Sequence, residues 1–395
     1  MKENKAKDRV TETLTPRGSM PENDGDRLDY VATCLFGLEG LVGEEIDALG
    51  YERTFTMDGR VGFRAGVDAA ARCNMWLRTA ERLYVSLGSF PAPTFDALFE
   101  GAKALPWERF IGREDAFPVK GHALNSKLHS IPDCQKIIKK ACVKRLEKAY
   151  GISYFEETAA KHQIQFAIHK DIATIYLDTS GVGLHKRGYR RNSNDAPIKE
   201  TLAAGIVDLA RVRADSVVVD PMCGSGTFLI ESAYKALKVA PGLRRNFAAE
   251  QWSQIPETAW RNARAEAMDA IDRQGAFKAF GFDVDDIAVE LTRNNAKKAG
   301  VGSKLTVKQQ DISKYSQIEG SITIVNPPYG ERMLEIKEAE ELYKKMGQRL
   351  CPSKENPCYI ISPHEEFEVF FGKKADKKRK LYNGMIKCNL YMYFK

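Results

Sequence analysis

The segment Asn326-Pro327-Pro328-Tyr329 contains the residues best suited to chemistry in this 395-residue chain. Two consecutive prolines remove backbone donors and stiffen the loop, so its carbonyl groups stay free to accept hydrogen bonds. The side-chain oxygen of Asn326 and the carbonyl of Pro327 can therefore accept both hydrogens of one amino group. This arrangement keeps the nitrogen lone pair out of an aromatic ring and directs it at an electrophile. Because Tyr329 offers a flat face on which a base can stack, we predict Asn326, Pro327 and Tyr329 to be catalytic.

A second candidate loop, residues 220–227, follows a short apolar strand and precedes a helix. Its glycines, Gly224 and Gly226, let the backbone turn sharply and approach a ligand closely. A phosphate-binding loop is not expected, because no Gly-Lys-Ser/Thr follows, and Leu229 stands where a dinucleotide fingerprint has its third glycine. The alternative interpretation is a tight turn without a ligand.

Three acidic residues end three successive predicted strands. Asp220 ends the first, Asp283 is placed to accept hydrogen bonds from ribose hydroxyls, and Asp311 is placed to accept from an adenine amine. Any one of them alone is more often a solvated loop residue. Because the carboxyl ends of parallel strands meet at one edge of a sheet, the three together favour a ligand site there.

The elements that would position these residues alternate between strands and helices from about residue 193 onward. This alternation is typical of a doubly wound α/β domain. The chain closes with an antiparallel hairpin around Asn383-Gly384, a turn signal that is uncommon at the end of a nucleotide-binding sheet. The predicted strands are 217–220, 279–283, 305–309, 321–325, 357–362 and 385–394.

The N-terminal half has a different pattern. Strand, helix, strand, strand, helix and strand follow one another over residues 30–90, which is the ferredoxin-like split arrangement. A second α+β module covers residues 94–179 and includes a long helix over 131–150, for which Ser130 and Asp133 predict a capping box. Residues 1–28 lack periodicity and are predicted to be a disordered extension.

The composition argues against a membrane-spanning protein, a secreted protein and a metal-binding protein. The chain is 43% hydrophobic and carries 60 basic against 53 acidic residues, a net charge of +7. No apolar run reaches the roughly 18 residues of a membrane span, and no secretory signal is visible, so we expect a cytoplasmic protein. The eight cysteines form no Cys-x-x-Cys pair and have no histidines at ligand spacing, so we expect reduced thiols and no metal site.

Taken together, loop 220–227, the acids at 283 and 311, the Asn-Pro-Pro-Tyr loop and the terminal hairpin resemble class I S-adenosylmethionine-dependent amino-methyltransferases. Segments 180–190, 196–202, 326–332 and 377–384 narrow this resemblance to the THUMP-domain methyltransferases. Within them the chain is most similar to the bacterial large-subunit rRNA guanine-N2 methyltransferase group. The resemblance covers nearly everything from residue 29 onward.

The resemblance implies a Rossmann-like methyltransferase domain at 183–395, preceded by a ferredoxin-like domain at 29–93 and a THUMP RNA-binding domain at 94–182. It implies S-adenosylmethionine as the cofactor, S-adenosylhomocysteine as the product and a guanine N2, in structured RNA such as 23S rRNA, as the target. A tRNA guanine-N2 enzyme, an adenine-N6 enzyme and a non-catalytic RNA-binding assembly factor remain alternatives. The implied cofactor contacts are Pro197, Thr201, Asp220, Cys223, Gly224, Gly226, Thr227, Asp283, Val284, Asp311, Ile312 and Asn326.

Two basic segments are candidate RNA contacts, since lysine and arginine neutralise phosphates without regard to sequence. The predicted helix 131–150 has an apolar stripe on one side and lysines on the other, although such a face is often merely solvated. The junction segment 185–191 is the second candidate, with a plain linker as its alternative. The predicted RNA contacts are Lys136, Lys139, Lys140, Lys144, Lys186, Arg187 and Arg190.

Overall fold

The computed structural model describes residues 27–190, 198–329 and 333–395. They form two seven-stranded sheets, one in each half of the chain. No helix among these residues is both long and apolar enough to cross a membrane.

The first sheet has the order β2-β3-β1-β4-β7-β6-β5 and unites the two predicted N-terminal modules. They are joined because β4 is 12 residues long and pairs with β1 through one part of its length and with β7 through the other. This continuous sheet was not predicted from the sequence. Its strands are β1 (Arg27–Cys34), β2 (Glu52–Met57), β3 (Arg60–Gly66), β4 (Ala80–Pro91), β5 (Val119–Leu124), β6 (Ile164–His169) and β7 (Ile172–Asp178).

Four helices accompany this sheet: α1 (Glu39–Ala48), α2 (Ala69–Trp76), α3 (Phe95–Lys103) and α4 (Ile131–Tyr150). The predicted capping box at the start of α4 is wrong. Ser130 donates its hydroxyl to the carboxylate of Asp133 at 2.6 Å instead of accepting from a backbone amide. The predicted extension also ends too late, because Arg27 and Leu28 already pair with β3 and Leu28 is buried.

The second sheet has the order β10-β9-β8-β11-β12-β14-β13. Neighbouring strands from β10 to β12 run parallel, and β14 returns antiparallel against β12. Its strands are β8 (Val217–Asp220), β9 (Lys278–Asp283), β10 (Leu305–Gln309), β11 (Ser321–Val325), β12 (Cys358–Ser362), β13 (Lys377–Asn383) and β14 (Ile386–Tyr393). The strand order reverses between β8 and β11, the place where open α/β sheets bind ligands.

The α-helices of the described part of this half are α5 (Glu200–Leu209), α6 (Thr227–Ala236), α7 (Glu257–Asp269), α8 (Asp286–Ala299), α9 (Met333–Arg349) and α10 (Phe367–Phe371). Of these, α7 packs against α2 of the N-terminal half and its buried residues belong to the N-terminal core. The alternation of strands and helices predicted from the sequence is confirmed. One difference is β13, which begins at Lys377, so that the basic residues 377–380 belong to an edge strand of the hairpin.

The insert between β8 and β9 packs into the core of the N-terminal half. Trp252 and Trp260 are almost fully buried there together with Phe247. The Trp252 ring stacks on His162 with centroids 4.5 Å apart, and its indole N–H donates to the carbonyl of Lys161 at 3.0 Å. The core of the N-terminal half therefore includes residues of the second half, whose sheet has further core clusters of its own.

Candidate active site at the carboxyl edge of the second sheet

A cavity of about 770 Å³ opens where β8, β9, β10 and β11 end. It brings together the glycine loop, the strand-end acids and the Asn-Pro-Pro-Tyr loop, as the sequence predicted. The predicted residues that line it are Asp220, Cys223, Gly224, Thr227, Asp283, Val284, Asp311, Ile312, Asn326, Pro327 and Tyr329.

The glycine loop owes its shape to two left-handed residues. Gly224 has φ +52° and Gly226 has φ +79°, a region that side-chain-bearing residues rarely adopt. A Cβ on Gly226 would also lie 2.6 Å from the Cγ2 atom of Thr292. Gly226 does not line the cavity; it precedes α6 and directs the start of that helix toward the cavity. Its predicted direct contact with a cofactor is therefore replaced by a role in shaping the loop.

Asp220 is a buried carboxylate in need of a positive partner. It is 2% exposed, and the one hydrogen bond found for it among the described residues comes from the Met222 amide at 3.1 Å. Burial, reinforced by the negative charge of Asp283, raises the pKa of Asp220 well above its usual range. A cationic ligand in the cavity would stabilise the ionised form of this group, and the sulfonium and ammonium groups of S-adenosylmethionine carry such charge.

Asp283 and Asp311 reach the cavity from two neighbouring strands. The Asp283 carboxylate accepts from the Gly224 amide at 2.9 Å and so ties the glycine loop to β9. Asp311 accepts from the Ser313 amide at 2.7 Å, and its hydrogen bonds with Ser313 lower the pKa of Asp311. An ionised acceptor at this position suits an amine donor such as that of adenine.

The Asn-Pro-Pro-Tyr loop is held from two sides. The Tyr343 hydroxyl donates to the Pro328 carbonyl at 3.2 Å, and the Asn383 side-chain amide donates to the Tyr329 hydroxyl at 3.2 Å. Asn326 is half-buried, and no hydrogen bond from its side chain to another described residue is found. Asn326 lines the cavity, together with Pro327 and Tyr329 of the same loop. Sequence reasoning treated Asn383 only as a turn residue and did not foresee its contact with Tyr329.

The structure does not place Thr201 or Pro197, both predicted to contact the cofactor, at the cavity. Thr201 is fully buried and donates its hydroxyl to the Glu81 carboxylate, so its assignment as a cofactor contact is wrong. Lys199 reaches the same carboxylate at 2.9 Å. Burial raises the pKa of Glu81, but hydrogen bonds from His185, Thr201 and Lys199 outweigh it and lower the value to about 2. Pro197 lies outside the described residues, whereas its neighbour Ile198 lines the cavity.

Arg187 and Arg190 of the junction segment are structural, which corrects their assignment as RNA contacts. Arg187 is 2% exposed and donates to the carbonyls of Leu184 and Arg78. Arg190 is also buried along its side chain and pairs with Glu200 at 2.9 Å. Both therefore fasten the two halves of the chain to each other or to α5. Lys186 of the same segment is exposed.

The four predicted lysines of α4 differ in their surroundings. Lys136 has 80% of its side chain exposed. Lys139 pairs with Glu157 and lies 3.5 Å from the centroid of the Phe117 ring. Lys144 pairs with Glu147 at 2.7 Å, and Lys140 lies 5.9 Å from the ring centroid of Phe99. The Lys136 ammonium is also 3.9 Å from the Asp133 carboxylate, so Lys136 and Lys140, both exposed, are the more available of the four for a phosphate.

One wall of the cavity was missed by sequence reasoning. It comes from α9, whose residues recur at helical spacing along the cavity. The amphipathic pattern of this segment predicted a helix, but nothing in it indicated which face would meet the ligand. The α9 residues at the cavity are Glu335, Glu338, Ala339, Leu342 and Lys345.

The fold and the site define a class I S-adenosylmethionine-dependent methyltransferase. Residues 187–392 match the family model of the RMKL-like methyltransferase domain, residues 29–84 the RlmL ferredoxin-like domain, and residues 92–178 the THUMP domain. The chain belongs to this family of THUMP-domain RNA methyltransferases.

Relatives and solved structures agree with this assignment. YpsC of Bacillus subtilis (strain 168), named as an RNA methyltransferase, is 42% identical over 92% of this chain and 95% of its own length. Ribosomal RNA large subunit methyltransferase K/L of Psychromonas ingrahamii is 31% identical over 93% of this chain, which spans about half, 50%, of that longer protein. The methyltransferase SMU.472, solved in complex with SAH, is 39% identical with a TM-score of 0.89, covering 93% of this chain and 98% of its own.

Proposed function

We propose that this protein transfers a methyl group to the exocyclic N2 of a guanine in 23S rRNA. The observation that carries the proposal is the position of Asn326 and Pro327, which line the cavity on a loop anchored at Pro328 and Tyr329. The substrate is inferred from the large-subunit rRNA methyltransferases that match most of this chain.

The residues of the cavity fit the cofactor. Asp283 would accept from its ribose hydroxyls, Asp311 from its adenine amine, and Asp220 would lie near its positive charge. S-Adenosylmethionine, when bound, supplies an electrophilic methyl group. The chain's own contribution is to bring the target amine to that group in the correct orientation, which can account for a large part of the barrier reduction.

The Asn-Pro-Pro-Tyr loop performs this orientation. The Asn326 side-chain oxygen and the Pro327 carbonyl accept the two amine hydrogens, which turns the nitrogen lone pair toward the methyl group. The same two oxygens stabilise the positive charge that develops on the nitrogen during transfer. Neither oxygen is basic enough to keep a proton, so the proton of the product leaves to solvent. Tyr329 would stack on the base.

The N-terminal half would hold the RNA. Lys136 and Lys186 are exposed cations in this half and at its junction with the catalytic domain. Phosphate contacts of this kind predict an RNA affinity that falls as salt rises. A location in the cytoplasm, where ribosomal RNA is assembled in bacteria, is part of the proposal.

An adenine-N6 activity is the second candidate, because two carbonyl oxygens grip any exocyclic amine. A Listeria monocytogenes str. 4b F2365 protein named for N6-adenine-specific DNA methylation is 40% identical, with a TM-score of 0.88, over 93% of this chain and 96% of its own. The THUMP domain favours RNA over DNA as the substrate. A non-catalytic assembly factor would need no cofactor, so a measured S-adenosylmethionine affinity separates it from both enzymes.

Mass spectrometry of modified nucleosides from cells with and without the gene tests the proposal. Loss of one N2-methylguanosine from 23S rRNA, restored by the wild-type gene but not by Asn326→Ala, is the expected result. A loss confined to tRNA would favour the tRNA guanine-N2 alternative, and a loss of N6-methyladenosine would favour the adenine enzyme.

A further inference from the structure

An aromatic pair, with one ring exposed and the other half-buried, lies at the boundary between the two halves of the chain. Phe36, in the loop between β1 and α1, is 54% exposed, and its ring centroid is 6.0 Å from that of Tyr382 on β13, with the planes at 68°. A single exposed hydrophobic residue is ordinary on a protein surface. This pair is different because each domain contributes one ring.

The pair is linked to the catalytic loop through the residue after Tyr382. Asn383 is buried, and its side-chain amide donates to the Tyr329 hydroxyl at 3.2 Å. Tyr382 and Asn383 are consecutive residues of β13, and successive side chains of a strand lie on opposite faces. The aromatic pair is therefore one residue along β13 from the contact with the catalytic loop, on the other face of the strand.

The loop that carries Phe36 is fixed. The Glu39 carboxylate accepts from the amides of Gly37 and Gly59, both at 2.9 Å. The Arg379 guanidinium on β13 donates to the Gly37 carbonyl. Gly37 has φ +92°, and a Cβ there would lie 2.9 Å from the Lys380 carbonyl, so only glycine allows this approach. Phe36 is thus held beside the hairpin without being buried by it.

Positive charge and further apolar surface surround the pair. The Lys380 ammonium lies 5.4 Å from the centroid of the Tyr382 ring, and Lys380 itself is exposed. Met385, at the tip of the same hairpin, is 99% exposed, and Met57, next to the Asp58-Gly59 turn, is 42% exposed. In proteins that bind single-stranded nucleic acid, aromatic rings stack on the bases and nearby cations contact the phosphates.

We propose that Phe36 and Tyr382 form a second base-binding site. A nucleotide that flanks the target base stacks there while the target base occupies the catalytic cavity. The occupant is a single-stranded stretch of the substrate RNA, with its phosphate near Lys380. This inference rests on the proposed function, because it takes RNA as the substrate. It gives a role to the hydrogen bond between the N-terminal loop and the C-terminal hairpin, which lies close along β13 to the contact of Asn383 with the catalytic loop.

The test compares variants of the full chain for binding to a fluorescein-labelled 12-nucleotide single-stranded RNA. Phe36→Ala and Tyr382→Ala are expected to weaken binding by roughly 5- to 150-fold, the range that stacking of one base gives. Tyr382→Phe should bind like the wild type because it keeps the ring. Tyr154→Ala, which removes a 77% exposed ring far from the hairpin in sequence, is the matched control and should have no such effect.

Two further variants separate stacking from folding. Phe36→Leu and Tyr382→Leu keep apolar bulk but lose the flat face, so they should weaken RNA binding while the melting temperature and S-adenosylmethionine affinity stay at wild-type values. Unchanged RNA affinity in the folded leucine variants would overturn the proposal. If the wild type binds the 12-mer but methylates no rRNA, the proposed function fails. The comparison of variants still shows whether Phe36 and Tyr382 bind RNA.

Discussion

At the residue scale, the cavity gathers three carboxylates and one amide from four strand ends. Their types and their positions after predicted strands were sufficient to name them from the sequence. Arg187 and Thr201 were misassigned because sequence shows residue type but not the direction of a side chain. A buried arginine that caps carbonyls and an exposed arginine that binds phosphate look alike in a basic segment.

Replacement of Asn326 is expected to affect turnover far more than binding. Asn326→Ala removes one of two acceptors for the amine, and by analogy with loss of one oxyanion-hole donor it should lower kcat on the order of 100-fold or more. Cofactor affinity and KM for RNA should change little, because the contact is made chiefly in the transition state. Single-turnover kinetics with separately measured affinities checks this. Asn294→Ala, on the surface of α8, is the matched control.

Replacement of Asp283 is expected to weaken binding of the cofactor. Asp283→Ala removes the proposed acceptor of the ribose hydroxyls and also the partner of the Gly224 amide. Loss of such hydrogen bonds costs about 1–3 kcal/mol in binding. Calorimetry with S-adenosylmethionine measures it, with Asp269→Ala, at an exposed residue of α7, as the control. Unchanged affinity in a folded Asp283→Ala protein would remove this residue from the site.

At the scale of elements, hydrophobic periodicity and turn residues located nearly all strands and helices. The sequence did not reveal that β4 would join two modules into one sheet, since strand pairing depends on contacts between distant segments. Nor did it reveal that the insert with Trp252 would enter the N-terminal core. Its tryptophans were visible, but their partners, such as His162, lie 90 residues away.

Glu45 of α1 makes a pH-dependent contact with the two residues that precede β4. Its carboxylate accepts from the Thr79 hydroxyl and the Arg78 amide, both at 2.9 Å. Burial, followed by the negative charge of Asp208, raises the pKa of Glu45 to about 7. Between pH about 4.5 and about 7 the Glu45 carboxyl group is therefore protonated in the native state but ionised in the unfolded chain. The contribution of Glu45 to the free energy of unfolding falls as pH rises through this range.

Glu45→Gln should remove this dependence. Relative to the wild type, the variant should gain stability as pH is raised from 5 to 8. Urea unfolding at several pH values measures the difference, and Glu44→Gln, on the exposed side of α1, serves as the control. A constant difference between variant and wild type across this range would show that Glu45 does not titrate there.

At the scale of the whole molecule, the shared core makes the two halves interdependent. Cutting the chain after residue 182 would expose Phe247, Trp252 and Trp260, so an isolated catalytic half is not expected to stay folded. Trp252→Ala should lower the free energy of unfolding of the complete chain by about 3–5 kcal/mol, the usual range for a buried tryptophan. Chemical denaturation checks this value. A loss below 1 kcal/mol would mean that the insert does not fasten the halves together.

The whole chain combines a half that contains a THUMP domain with a catalytic half, so the proposed reaction is best measured on RNA with the full chain. The direct measurement uses 23S rRNA from cells that lack the gene, methyl-labelled S-adenosylmethionine and the purified full chain, followed by mass spectrometry of the nucleosides. The account predicts label in N2-methylguanosine with the wild type and at least a 100-fold slower appearance with Asn326→Ala, by the oxyanion-hole analogy. Label in N6-methyladenosine, or equal rates for the two proteins, would contradict it.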